Sequence, residues 1–78
     1  MSLKEELEAE TQKWLEKAED LFENISGDED FLENISAYID DSHYFLDNGD
    51  LILAFECVVW AWAWMEIGLQ RNILAKRD

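Results

Sequence analysis

The sequence predicts an all-α fold, an antiparallel three-helix bundle with helices over residues 3–25, 29–48 and 50–74, in one domain spanning 1–78. Three observations carry this reading. Apolar residues recur every three or four positions through the first two segments, which is the helical period. A capping residue precedes each segment: Ser2, Asp28 and Asp50. There is no proline to interrupt a helix, and the two connections are short enough to lay neighbouring helices antiparallel.

The first helix opens on a capping box, Ser2 with Glu5. Leu7, Trp14, Leu15, Ala18, Leu21, Phe22 and Ile25 form its apolar face, and eight carboxylates between Glu5 and Glu23 cover the others. Gly27 suits a left-handed cap at its end. In the second helix, Asp28 caps a first turn whose carboxylates complement the helix dipole. Phe31, Leu32, Ile35, Tyr38, Ile39, Ser42, Phe45 and Leu46 keep the period, and Gly49 closes the helix before Asp50 starts the next.

The third segment is apolar nearly all round: from Leu51 to Leu69 only Glu56, Glu66 and Gly68 interrupt it. Such a helix must be enclosed on all sides, so it is the expected centre of the bundle. A core side is expected at Phe55, Val58, Trp62 and Met65, and a seam of small residues at Ala54, Ala61 and Gly68 that admits a neighbouring backbone. Trp60 and Trp64 share a further side. Two companion helices can cover about two of the three tryptophans, which leaves the rest for a dimer or partner interface. The expected partner-binding residues are Leu53, Trp60, Trp64 and Ile67.

Composition bounds the function. Nineteen acidic against six basic residues give a net charge of −13, which disfavours nucleic acid and anionic lipid. The apolar segment has the length of a membrane span, but Glu56 and Glu66 are costly in hydrocarbon, so no membrane crossing is expected. No signal peptide is visible, and a cytoplasmic location is expected. The lone Cys57 excludes an intrachain disulfide and reads as an inert thiol. His43 is the only histidine, with Asp40 and Asp47 near it on the same helix face. One imidazole among carboxylates makes neither a transition-metal site nor a catalytic triad.

Placing Gly27 or Gly49 at the sixth position of a calcium loop puts Phe22 or Tyr44 first, where the loop needs Asp. Glu56 and Glu66 lie roughly 15 Å apart along one helix, too far to act as a pair. No enzyme activity, metal or cofactor is expected. The residues point to a non-enzymatic interaction or assembly module, as a homo-oligomer or with a protein partner, through the third helix.

From Ala37 to Leu69 the residues Tyr38, Asp41-Ser42, Phe45-Leu46, Gly49-Asp50, Ala54, Ala61 and Gly68 form a pattern. It resembles a small archaeal helical-bundle family known as domain of unknown function 357, with Ser42 where that family usually has alanine. The resemblance implies a short all-helical cytoplasmic protein from an archaeon without an assigned activity. The same helix-Gly-Asp-helix signature looks like one tetratricopeptide hairpin, but the chain has no 34-residue repeat. It also looks like the second half of HEPN domains, whose nuclease members follow an Arg with a His; Arg71 has no histidine after it. That likeness implies the alternative function, a small-ligand or nucleotide-binding accessory bundle using a pocket at Trp62 or Tyr38 with His43 nearby.

Overall fold

The computed structural model describes residues 1–77, which form three helices and one short strand pair. Helix α1 runs Leu3–Glu23, α2 Glu29–Asp47 and α3 Leu51–Gln70, with β1 at Ile25–Gly27 and β2 at Leu74–Lys76. The expected caps are present. Ser2 and Glu5 exchange both bonds of the capping box, while Asp28 and Asp50 accept from the backbone N–H of Phe31 and Leu53.

Helix α2 ends in a Schellman turn, with the Asp50 N–H donating to Phe45 O and the Gly49 N–H to Leu46 O. Gly49 takes φ +76°, as its place after the cap requires.

Two boundaries differ from expectation. Helix α1 stops at Glu23 with Asn24 as its cap, so Ile25 and Gly27 belong to β1 and Gly27 caps nothing. Helix α3 stops at Gln70, and Ile73 and Leu74 are not helical. The cause is a second Schellman turn: Ile73 N–H donates to Gly68 O and Asn72 N–H to Leu69 O, with Asn72 at φ +60°. Asparagine tolerates the left-handed region, so it ends a helix much as glycine does.

The chain then doubles back, and β2 pairs antiparallel with β1 in the register Ile25–Lys76, Ser26–Ala75 and Gly27–Leu74. This ladder ties the C-terminal ends of α1 and α3 together, so those helices run the same way and α2 runs against both. The molecule is 40 Å long and 19 by 17 Å across.

The core stripe of α3 is Leu51, Ala54, Val58, Ala61, Met65 and Gly68, alternating three and four residues apart. That corrects the expected division of the helix. The small residues are not a seam beside the core; they are half of it, with Val58 and Met65, whereas Phe55 and Trp62 are half-buried at its edge. Small side chains let α2 come close, and the Ser42 hydroxyl of α2 donates 2.7 Å to the Ala54 carbonyl. Leu15, Ala18, Ile35 and Ile39 fill the space opposite. Ile25 and Leu74, one from each strand, close the end of the core.

Candidate interaction face

With the core stripe fixed, the 100° step of a helix turns the rest of α3 outward in a determined order. Phe55, Trp62 and Leu69 lean toward α1, while Cys57 and Trp64 lean toward α2. Between these flanks lies a surface of Ile52, Val59, Leu53, Trp60 and Ile67, exposed by 68, 49, 40, 55 and 46 % respectively. Ala63 and the exposed Glu56 sit among them. Three of the four residues expected to bind a partner, Leu53, Trp60 and Ile67, are therefore on one continuous outer face. The fourth, Trp64, is partly covered and belongs to the α2 flank.

Each tryptophan of α3 has its own aromatic neighbour. Trp62 meets Trp14 of α1 edge-on at 5.7 Å, and its Nε1 donates to the Trp14 carbonyl at 3.1 Å. Trp64 meets Phe31 of α2 edge-on at 5.1 Å, with its Nε1 buried and unpartnered. Trp60 lies nearly parallel to Tyr38 at 6.3 Å, with interplanar angle 18°, so α2 supports it on one side only. These contacts orient the rings by their quadrupoles and hold Trp60 fixed on the surface. Sequence reasoning missed Ile52 and Val59 as part of this face; their spacing of seven, parallel to Leu53 and Trp60, was the available signal.

On the α1 side of the face an open groove of about 250 Å³ runs between Trp14 and Phe55, Val59, Trp62 and Glu66. Lys13 and Lys17 approach the Trp14 ring at 5.4 and 4.9 Å. His43 is elsewhere: its Nε2 lies 3.2 Å from Glu19 Oε1, in a polar groove between α1 and α2 that also takes in Glu16 and Asp47. Neither Trp62 nor Tyr38 lines the groove that holds His43, although the alternative ligand-binding reading places His43 near one or the other.

Among the described residues no three His, Cys, Asp or Glu side chains are grouped to hold a metal ion. Cys57 is half-buried, and its pKa is pushed up, first by burial and then by the Asp41 and Glu56 carboxylates. Helix α3 has the length and apolarity of a membrane span, with a third of its most apolar window buried inside the bundle.

A family model described as a protein of unknown function, DUF357, matches residues 2–74. The chain belongs to the DUF357 family. It is also similar to the crystal structure of protein AF1782 from Archaeoglobus fulgidus, itself described by the DUF357 model. The two are 61 % identical with a TM-score of 0.94, over 96 % of this chain and 99 % of that one. No curated protein matches the chain.

The DUF357 match extends well beyond the stretch 37–69 that carries the resemblance in the sequence. In the structure the residues of that stretch mostly build the bundle: Ser42 bonds to Ala54, Gly49 and Asp50 make the turn, and Ala54, Ala61 and Gly68 fill the core. The outer face of α3 is a separate set of residues.

Proposed function

We propose that this DUF357 protein is a non-enzymatic interaction or assembly module that works through the outer face of α3. The observation that supports it is the continuous exposed stripe Ile52, Leu53, Val59, Trp60 and Ile67. Scattered apolar residues on a surface need no explanation, but a contiguous patch usually marks an interface. By fractional exposure these five side chains leave roughly 500 Å² of apolar surface in water, toward the upper end of what a monomer carries on one patch. Trp60 at the centre, supported by Tyr38, has the character of an interface anchor.

A photo-crosslinking amino acid placed at position 60, 67 or 44 tests this in cells that make the protein. Adducts to a second copy or another protein are expected from 60 and 67. The exposed Tyr44 of α2 is expected to give none. No adduct from either stripe position, together with a monomer by sedimentation at all concentrations, overturns the reading.

A further inference from the structure

The stripe has a shape and a charge setting that select its occupant. It is straight and one helix wide, and from Ile52 to Ile67 it runs about 22 Å at 1.5 Å per residue. That is the footprint of another helix of about 15 residues laid alongside α3.

Carboxylates border its middle. Glu56 lies within the stripe, Glu66 lies at its groove-side edge, and Asp41 is close enough to Cys57 on the α2 flank to act on its thiol. Neither Glu56, Glu66 nor Asp41 has a cation partner: among the described residues the one Lys or Arg ion pair is Lys13–Glu10, at 3.3 Å. The cations lie outside this middle: Lys13 and Lys17 across the groove over Trp14, Lys4 beside Ile52 at one end, and Arg71 one turn beyond Ile67 at the other.

Two occupants fit the apolar surface, and charge separates them. Either would bury roughly 1,000 Å² in total, the size of a weak or transient contact. A second copy would bring together two chains of net charge −13, each with Glu56 inside the contact. A helix with an apolar side and a basic flank covers the same surface and neutralises Glu56 and Asp41 as it does so. Opposite charge speeds the encounter and disfavours wrong partners.

We propose that the outer face of α3 receives a cationic amphipathic helix of another protein, with its apolar side on Ile52, Val59, Trp60 and Ile67. Its basic flank lies over Glu56 and Asp41, toward α2. This rests on the interaction reading above and names the partner's chemistry.

The test uses the full chain and a fluorescent 18-residue peptide with leucines at helical spacing and lysines on one flank. Fluorescence anisotropy measures its affinity. A second peptide keeps the leucines and carries glutamates, and a third has the lysine composition scrambled out of helical register. The in-register lysine peptide is expected to bind at least tenfold more tightly than either. Its affinity is expected to fall at least fivefold from low to high salt.

Trp60→Ala and Ile67→Ser should each weaken binding at least tenfold. Glu56→Gln should weaken it about threefold and reduce the salt dependence, and Tyr44→Ala should change nothing. Equal binding of the scrambled peptide, or no effect of Trp60→Ala and Ile67→Ser, would reduce the attraction to bulk charge and overturn the proposal. So would binding to zwitterionic lipid vesicles lost in Trp60→Ala, which makes the face a lipid surface. Peptide failure with self-adducts from position 60 refutes the cationic helix alone. Peptide failure with no adducts refutes the interaction reading as well.

Discussion

Leu74 is wedged between two glycines, and replacing one of them measures how firmly the strand pair is seated. A Cβ built on Gly68 of α3 would lie 2.5 Å from Leu74 Cδ1, 2.7 Å from its Cγ and 3.4 Å from its Cβ, the first two well inside ordinary contact. Leu74 has nowhere to retreat. It is 2 % exposed, its backbone is paired to β1, and a Cβ on Gly27 would lie 2.9 Å from its Cα on the other side.

Gly68→Ala gains about 1 kcal/mol of helix propensity. Against this stands an overpacking cost of about 2–3 kcal/mol, the upper part of the usual range because the clash extends from Leu74 Cδ1 to its Cγ and the residue is held from the other side as well. The expected net loss is about 1–2 kcal/mol, a fall in melting temperature of roughly 4–15 °C for a domain of this size. Urea and thermal unfolding followed by circular dichroism measure it.

In a Leu74→Ala background, itself about 2–5 kcal/mol less stable, the obstruction is gone and Gly68→Ala should become stabilising by about 1 kcal/mol. That reversal of sign is the decisive quantity. If Gly68→Ala stabilises the chain with Leu74 present, Leu74 does not sit over α3 as described, and the reasoning fails.

Ser42→Ala should cost only about 1 kcal/mol in urea unfolding, because the Ala54 carbonyl keeps its own helical bond. The larger Ser42→Val should cost about 2–3 kcal/mol by forcing α2 off α3, and a valine variant as stable as the parent would deny the close approach. Trp64→Phe removes an unpartnered buried donor, whereas Trp62→Phe removes a donor bonded to Trp14. The first variant should be the more stable by about 1–2 kcal/mol, and the reverse order in chemical denaturation refutes the assignment.

Cys57 should alkylate more slowly than a peptide thiol at mildly alkaline pH, because burial and the Asp41 and Glu56 carboxylates raise its pKa and deplete the thiolate. Glu56→Gln should speed the reaction in a rate assay with iodoacetamide. The sign for stability follows: the unfolded thiol ionises first, so the contribution is full below the ordinary thiol pKa and is lost as pH rises through the folded value.

The helices were legible because their signals are local. Ser2-Glu5, Asp28 and Asp50 are caps that act on bonds within one turn, and the same holds for Gly49 between α2 and α3. The end of α3 was not legible, since Asn72 forms the same turn as Gly49 with a residue that only tolerates the required φ. The strand pair was hidden for a different reason. Its partners, Ile25–Gly27 and Leu74–Lys76, are three residues each and about fifty apart, too short to show a period of two.

For the interaction face, hydrophobicity alone marked Leu53, Trp60 and Ile67, but the division of α3 was misplaced by one side. An all-apolar helix has no polar face to point outward, so its pattern does not say which side is core.

By itself, then, the sequence determined three capped helices, a tight turn at Gly49 and a strongly acidic chain, because backbone bonds within a turn and net charge depend on neighbours or on composition. Only the tertiary structure decided which stripe of α3 is buried. Packing selects by volume and not by hydropathy: Ala54, Ala61 and Gly68 let Ser42 and Leu74 come close, and the larger Trp60, Ile67 and Leu53 are left outside.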